Sequence, residues 1–324
     1  MSKLSTTNVL SAALLLAVAC QSTLTGNEGN FQFSYDADDW ITDFNKPIAV
    51  GAYLDISVRE VGTFQAIDLS DASYDDPAVL DVESFEGASI TVAGTGEGLA
   101  LLQVEGTTAS GETLTDSINM QAKVPEVLAM WHTCGGETQG NYLTDQRIWL
   151  PFEMQMENSQ PVIGYGYYPL TADTAAATLV SAESGQQWMA FDTAVAAGVT
   201  VLSSDIDDTT LTMNVVAPSA INGVDKPIAY VVEDIDVGDT NGFYVRPLLD
   251  DLALCQAEVD NTVVSDTPDI CTVTDTEPVE TGDHEYGWFS VTGVAEGECI
   301  FTVSYPDGNN GAGASAQFSY PIEP

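Results

Sequence analysis

Short stretches in which apolar and polar residues alternate make up most of the chain after residue 30. Clusters of Gly, Asp, Asn, Ser and Pro separate them; examples are ASITVAG (88–94), LALLQVEG (99–106), TLTMNVVAP (210–218), CIFTVSYPDG (299–308) and AQFSYPI (316–322). Such alternation indicates strands buried on one face, and this spacing of strands is typical of β-sandwiches. Two Ala-rich stretches, 173–185 and 192–199, are the helix candidates, and each is short enough to be a loop or a single turn. The pattern therefore predicts an all-β fold.

The stretch 92–104 recurs in altered form at 291–303. The two sequences, VAGTGEGLALLQV and VTGVAEGECIFTV, share their first Val, a Gly, a Glu-Gly pair and the last Val. A proline-containing segment precedes each copy, at 73–82 and 264–273, and a glycine-rich turn with a last strand follows each copy. A repeat of this kind predicts two domains with one architecture.

The order of a proline step, a strand ending in Gly, a Glu-Gly pair and a further strand resembles the bacterial immunoglobulin-like group-2 domain. The resemblance covers residues 30–123 and 227–324 and implies an immunoglobulin-like β-sandwich in each. Residues 124–226 do not align with the repeat but contain further strand-like stretches, which predict a third, sandwich-like domain. The predicted joints lie at 124–126 and 220–227. The prediction is a set of tandem immunoglobulin-like β-sandwiches after a signal peptide and a short tether.

The N-terminus has the pattern of an export signal. Lys3 and the free amine precede an apolar run over residues 9–19. This run has the length of a signal-peptide core and is too short to span a bilayer. We therefore predict that residues 1–19 are a signal peptide and that the mature chain is exported.

The signal ends in Ala-Val-Ala-Cys at residues 17–20. This resembles the bacterial lipoprotein signal, in which the cysteine is acylated and becomes the first residue. The resemblance implies that Cys20 is lipidated, that 20–29 is a flexible tether, and that the membrane is a partner through the lipid. Gln21, rather than Asp, follows Cys20, which in the Gram-negative rule implies the outer membrane. The alternative is an ordinary secretory signal cleaved after Ala19.

The charge balance restricts the partners. The chain has 49 acidic residues and 7 Lys and Arg, which gives a formal net charge of −42. The acids are dispersed, so they predict a solvated anionic surface that repels phosphates, and no nucleic-acid partner is expected. Self-repulsion at this charge lowers stability, less so where salt screens it, and a saline exterior is the resulting hypothesis.

The five cysteines are Cys20, Cys134, Cys255, Cys271 and Cys299. They form no CxxC pair, and two histidines are too few to complete the usual zinc sites. Cys255, Cys271 and Cys299 lie in alternating stretches and are expected to point into a core. In immunoglobulin topology the stretches of Cys255 and Cys299 face each other, so the resemblance implies a Cys255–Cys299 disulfide. Cys271 and Cys134 stay unassigned; Cys271 is left to pair with Cys299 instead, to pair with Cys134, or to remain a thiol.

One acidic cluster raises calcium as the single cofactor hypothesis. The stretch EDIDVGDTNG supplies carboxylates and an amide at alternating loop positions, which are Glu233, Asp234, Asp236, Asp239 and Asn241. Calcium binds six to eight oxygens, and such a stretch can provide several of them. The spacing is not that of an EF-hand, and the competing interpretation is an ordinary solvated surface.

No catalytic residue is predicted. His132 lies two residues before Cys134, but nothing nearby indicates an oxyanion hole or a nucleophile elbow. Two aromatic stretches, GYGYYPL (164–170) and HEYGWFS (284–290), are candidates for a docking patch for sugars or protein. We therefore expect a non-catalytic, lipid-anchored envelope protein for display, adhesion or scaffolding, with an unidentified protein or glycan ligand.

Two alternatives stay open at this point. The first is a glycan-active enzyme or accessory subunit, with a carboxylate pair in the middle domain. The second is a subunit of a surface filament or secretion assembly, whose neighbours join through edge strands or through the tether.

Overall fold

A computed structural model describes residues 23–35, 46–134, 139–229, 234–275 and 287–324. This part of the chain is almost wholly β-structure, which confirms the predicted fold class. No helix among these residues is long and apolar enough to cross a membrane. The predicted signal peptide and Cys20 lie outside the described residues.

The strands follow one another with short connections. In chain order they are β1 (Thr23–Thr25), β2 (Phe31–Tyr35), β3 (Ile48–Ala49), β4 (Tyr53–Glu60), β5 (Asp68–Tyr74), β6 (Leu80–Glu86), β7 (Ser89–Gly94), β8 (Gly98–Thr107), β9 (Thr113–Lys123), β10 (Val127–Met130), β11 (Gln139–Leu143), β12 (Arg147–Gln155), β13 (Pro161–Val162), β14 (Leu170–Ala172), β15 (Ala177–Leu179), β16 (Trp188–Thr193), β17 (Gly198–Ser204), β18 (Thr210–Val216), β19 (Gly223–Val224), β20 (Ile228–Ala229), β21 (Ile235–Asp236), β22 (Thr240–Val245), β23 (Pro247–Leu249), β24 (Leu252–Ala253), β25 (Thr262–Ser265), β26 (Cys271–Asp275), β27 (Gly287–Gly293), β28 (Gly297–Tyr305) and β29 (Ala314–Glu323). The helical segments are one four-residue turn, α1 (Gly308–Gly311), and two 3-10 turns, Ser181–Glu183 and Pro218–Ala220.

The chain divides into two compact units. The first comprises residues 1–127, 153–167 and 185–187, and the second comprises residues 128–152, 168–184 and 188–324. The three-domain division predicted from the sequence remains a prediction.

The first unit is a β-sandwich. One sheet has the order β1-β2-β4-β7-β6 and the other the order β3-β9-β8-β5. Alternation places Leu54, Ile56 and Val58 of β4 in the core, where they are fully buried. Burial of such apolar side chains, at roughly 25 cal/mol per Å², holds the two sheets together.

Residues 23–29 correct the predicted tether. Thr23–Thr25 form β1, which pairs antiparallel with β2. Gly26 approaches the carboxyl of Asp116 so closely that a Cβ at this position would overlap it. The backbone N–H of Glu28 donates to the same carboxyl at 2.9 Å. This part of the predicted tether is therefore held in the first sandwich by backbone hydrogen bonds.

The internal repeat corresponds to a shared geometry. Gly94 ends β7 and Gly293 ends β27, and at each glycine an added Cβ would meet the backbone oxygen of an earlier residue, Ala49 and Asp236 respectively. Such close approach of two backbones requires glycine. The repeated glycines therefore mark the same crossing point in two sandwiches.

The second unit contains the remaining sheets. The middle of the chain supplies sheets β10-β12-β16-β15 and β11-β18-β17-β14. The C-terminal part supplies sheets β20-β22-β27-β26 and β21-β29-β28-β25, and a small sheet β19-β23-β24. One apolar core in this unit extends from Leu143 and Val216 of the middle sheets to Phe243, Phe289 and Phe301 of the C-terminal sandwich.

The segment around Cys255 differs from the predicted strand. β24 ends at Ala253, and Gln256 has a φ of 48°, in the left-handed region. A non-glycine residue in that region does not continue a strand. Cys255 therefore does not face Cys299 across a sheet, and the predicted Cys255–Cys299 pairing is wrong.

Candidate functional site

The outer face of sheet β10-β12-β16-β15 is the most distinctive surface of the second unit. In β12, Ile148, Leu150 and Phe152 are buried in the core, and the alternating residues Trp149 and Pro151 belong to the opposite face, where Trp149 is half-buried and Pro151 is buried. Residues paired across antiparallel strands point to the same side of the sheet. The register therefore determines which residues of β10 and β16 share this outer face.

Two tryptophans flank Pro151 in one row across the strands. The backbone N–H of Trp131, directly after β10, donates to the Pro151 oxygen at 3.3 Å, and Trp188 of β16 pairs with Pro151 from the other side. Trp131 is 44% exposed and Trp188 is 42% exposed. Because they lie two strands apart, their backbones are about 10 Å from each other. We call Trp131, Trp149, Pro151 and Trp188 the aromatic platform.

Trp149 occupies the next row of the platform, opposite Ala190 of β16. The backbone N–H and C=O of Trp149 point away from β16, and a side chain hydrogen-bonds to both. The Trp149 N–H donates to Oε1 of Gln256 at 2.7 Å, and Nε2 of Gln256 donates to the Trp149 oxygen at 2.6 Å. The amide of Gln256 therefore supplies both hydrogen bonds that a neighbouring strand would otherwise supply.

Charged groups border the platform on the next row. Nε and Nη2 of Arg147 donate to the two carboxyl oxygens of Asp192 at 2.8 and 3.1 Å. Nη1 of Arg147 lies 3.5 Å from the carboxyl of Glu183. The hydrogen bond from Arg147 lowers the pKa of Asp192, so this border stays ionised at neutral pH. The border thus offers fixed donors and acceptors beside the indole rings.

The platform is suited to binding rather than to catalysis. Two half-exposed indoles offer on the order of 200 Å² of flat apolar surface. That area is well below the roughly 800 Å² per partner of a stable protein interface. It fits small rigid rings that stack on indole and present hydroxyl groups to the polar border.

The cysteines form two disulfides. Cys134 pairs with Cys255, with Cα atoms 5.2 Å apart, and Cys271 pairs with Cys299, with Cα atoms 5.4 Å apart. Cys271 is in β26 and Cys299 in β28, so the second bridge joins the two sheets of the C-terminal sandwich. The Cys134–Cys255 bridge lies beside the platform, between residues that follow Trp131 and residues that precede Gln256.

The residues of the calcium hypothesis do not form a site in the part that is described. Asp234, Asp236 and Asp239 are exposed, while Asn241 is buried in β22, and Glu233 lies outside the described residues. Among the described residues, no group of three His, Cys, Asp or Glu side chains is placed to hold a metal ion. Calcium binding therefore remains an untested hypothesis.

Carboxylates also line a cleft of about 320 Å³, in the first unit rather than in the middle domain. Glu28, Asp71, Glu105 and Asp116 contribute to its wall. Burial by itself raises the pKa of Asp116, but hydrogen bonds from Glu28, Phe31 and Ser117 outweigh it and hold the pKa below its usual range. A carboxyl in this state is not a general acid at neutral pH, and its hydrogen bonds are occupied by the fold.

The aromatic stretches predicted from the sequence have mainly structural contacts. The hydroxyl of Tyr165 donates to the carboxyl of Asp55 at 3.0 Å, and Phe289 is fully buried. Trp288 packs on Tyr244 with ring centroids 5.4 Å apart, while His284 and Tyr286 lie outside the described residues. Nδ1 of His132 is 2.7 Å from the Tyr142 hydroxyl, so this histidine contacts a tyrosine, and Cys134 is taken up in a disulfide.

The platform was not predicted from the sequence. Trp131, Trp149 and Trp188 lie in separate stretches, and their proximity depends on the pairing of β10, β12 and β16. One signal was present, because Trp149 occupies an outward position in an alternating strand that otherwise buries apolar residues.

No family model and no curated protein matches this sequence. Among solved structures, the chain is similar to domains 4–9 of the surface layer protein SbsC at 13% identity, over 90% of this chain and 47% of that one, with a TM-score of 0.28. It therefore spans about half the length of that fragment. Invasin, titled a bacterial integrin-binding protein, matches at 12% identity over 91% and 60% of the two chains, with a TM-score of 0.24.

A third similar structure is the protein SGBP-B of the mixed-linkage glucan utilization locus of Bacteroides ovatus, in complex with a mixed-linkage heptasaccharide. It matches at 9% identity over 86% of this chain and 65% of that chain, with a TM-score of 0.25. TM-scores this low give no basis for transferring a function. What is shown of the chain is the fold described above, an all-β chain of packed sheets.

Proposed function

We propose that this chain is an exported, non-catalytic binding protein of the bacterial envelope that attaches to neutral glycans through the aromatic platform. The observation that carries the proposal is that Trp131 and Trp188, whose backbones lie on either side of the buried Pro151, are both more than 40% exposed. Leaving the apolar surface of a tryptophan in contact with water costs free energy. Exposed tryptophans on a rigid strand are therefore typical of binding surfaces.

The shape of the platform favours a glycan. Each face of a pyranose ring carries C–H groups that pack against an indole, and its hydroxyls hydrogen-bond to polar side chains. Two indoles carried by backbones about 10 Å apart suit two rings of one chain. Arg147 and Asp192 lie two rows from the exposed indoles, beyond Trp149, and can bind the hydroxyls of a chain that extends in that direction.

The charge favours a neutral ligand over an anionic one. The whole chain carries −42, and the border of the platform has two carboxylates for one guanidinium. An acidic polysaccharide, like a nucleic acid, would be repelled at low ionic strength.

The cellular setting is part of the proposal. Two disulfides fit an oxidising compartment outside the cytosol, and the N-terminal sequence resembles a lipoprotein signal. Lipidation at Cys20 would hold the β-sandwiches at the outer membrane, where a glycan-binding face serves adhesion or display.

The test is retention of the purified oxidised chain on a panel of immobilised neutral and anionic polysaccharides. The Trp131→Ala and Trp188→Ala variants are compared with Phe64→Ala, which removes a 61% exposed aromatic ring from the first unit. We expect at least one neutral polysaccharide to retain the wild type and F64A, and W131A and W188A to bind at least about tenfold more weakly.

Two results would overturn the proposal. One is that no neutral polysaccharide retains the wild-type chain. The other is that W131A and W188A bind as strongly as F64A does.

A further inference from the structure

The segment after β24 leaves the C-terminal sandwich and runs beside the start of β12. Leu254 forms a parallel bridge with Asn141, and the Cys255 N–H donates to the Asn141 oxygen at 2.8 Å. Further along, the side-chain amide of Gln146 bonds to the backbone of Glu258 in both directions. The segment is thus held by Asn141 of β11, which belongs to the sheet β11-β18-β17-β14, and by Gln146, which directly precedes β12 of the platform sheet.

Gln256 is the central contact of this segment. It is only 7% exposed, and its amide makes both hydrogen bonds to the Trp149 backbone. Its Nε2 also lies 3.3 Å from the Thr133 hydroxyl. Gln256 therefore links Trp149 to the segment that follows Trp131.

The backbone of Gln256 needs external support. Its φ of 48° is in the left-handed region, which costs a non-glycine residue free energy. The Cys134–Cys255 bridge fixes the residue immediately before it and joins that residue covalently to the segment after Trp131. The bridge is therefore a covalent constraint on the residue next to the left-handed one.

We infer that the Cys134–Cys255 bridge and Gln256 position the aromatic platform, so that the platform binds its ligand only while this bridge is oxidised. The role is positional, because neither residue belongs to the exposed indole row. The inference deepens the proposed glycan-binding function and rests on it for its binding readout.

The first experiment compares two disulfide removals in the full mature chain. Cys134→Ser with Cys255→Ser removes the bridge at the platform. Cys271→Leu with Cys299→Ala is the matched control, because Leu80 and Ala100 occupy the corresponding buried positions in the first copy of the repeat. We expect the first pair to weaken retention on the neutral polysaccharide at least about tenfold and the control to retain wild-type binding.

A ligand-free readout separates this inference from the proposed function. Because the Trp149 N–H donates to Gln256, we expect its hydrogen exchange to be slow in the wild type, and to accelerate in the Cys134 and Cys255 variant but not in the control. If no glycan binds the wild type, the proposed function fails, while accelerated exchange still supports the positioning role. Unchanged exchange in the Cys134 and Cys255 variant overturns the inference.

A second variant tests the amide without touching the bridge. Gln256→Gly relieves the left-handed backbone and removes the side chain. Its control is Asp251→Gly, at a second left-handed position, with a φ of 66°, which is exposed. We expect faster Trp149 exchange and weaker binding in Q256G only. Equal behaviour of the two variants contradicts a positioning role for Gln256.

Discussion

Asp116 shows how a single residue organises the start of the first sandwich. Its carboxyl accepts backbone hydrogen bonds from Glu28, Asn30 and Phe31 at 2.7–2.9 Å, and it is 2% exposed. These donors come from the connection between β1 and β2, far from Asp116 in sequence. Asp116 therefore fixes the conformation of the connection between β1 and β2.

Replacing Asp116 by Asn tests this role. An amide keeps one acceptor oxygen but presents its NH₂ group to donors, so buried N–H groups lose their partner. We expect a loss of about 2–3 kcal/mol in unfolding free energy, measured by denaturant titration. Asp71→Asn, on an exposed residue of the same cleft opposite Glu105, is the control and should change stability little. Equal losses in both variants would contradict the assignment.

The acid dependence of stability has a definite sign at Asp116. The pKa of Asp116 is lower in the folded chain than in the unfolded chain. Its contribution to the unfolding free energy is therefore fully present above the unfolded pKa of about 3.9, and it is lost as the pH falls through the folded pKa. The difference in melting temperature between wild type and D116N should therefore shrink as the pH is lowered from about 6 to about 3. A difference that stays constant over this range argues against a lowered pKa.

Residues differ in how far sequence alone predicts them. Gly94 and Gly293 were recognisable because the repeat places them at equivalent strand ends, where backbones cross closely. Gln256 was not, because a buried amide that completes another strand's hydrogen bonds is defined only by tertiary structure.

At the level of elements, each sandwich joins an early strand to a late strand in parallel. The pairs are β3 with β9, β11 with β18 and β21 with β29. Periodicity predicted most of the strands, since it depends on local alternation. Periodicity did not predict these parallel pairings, because they depend on contacts between distant segments. It also predicted that a strand continues through Cys255, which is not the case in the structure.

The Cys271–Cys299 bridge makes a prediction at this scale. It joins β26 to β28 and closes a separation of 28 residues. In the chain-entropy account, its loss in the C271L/C299A variant should lower the unfolding free energy of the second unit by about 3 kcal/mol, as measured by thermal and denaturant unfolding. Wild-type stability after reduction and alkylation of that bridge alone would contradict the account.

The charge of the whole molecule predicts its response to salt. With 49 acids against 7 Lys and Arg, repulsion within the fold is strong at low ionic strength. Raising salt from about 0.01 M to about 1 M shortens the Debye length from about 30 Å to about 3 Å. The melting temperature should therefore rise steadily with sodium chloride, and more than in a sucrose series of equal osmolality. A flat response would contradict the hypothesis of a saline setting.

At the same scale, the sequence predicted the all-β architecture and the repeat, because both are encoded in local patterns. Pairing of Cys271 with Cys299 was one of the alternatives that the sequence left open, and it is the one observed. The Cys134–Cys255 pairing and the grouping of Trp131, Trp149 and Trp188 were not predicted, because both depend on contacts between distant segments. Export and the lipid at Cys20 remain predictions from the N-terminal sequence.

The most direct test of the central claim is the affinity of the oxidised chain for a neutral oligosaccharide series of increasing length, measured by isothermal titration calorimetry. If one glycan chain stacks on both Trp131 and Trp188, affinity should rise stepwise once the oligosaccharide reaches across both indoles. The step should disappear in W131A and in W188A and persist in F64A. A step that persists in W131A and W188A, or affinities that do not depend on length, would contradict the account.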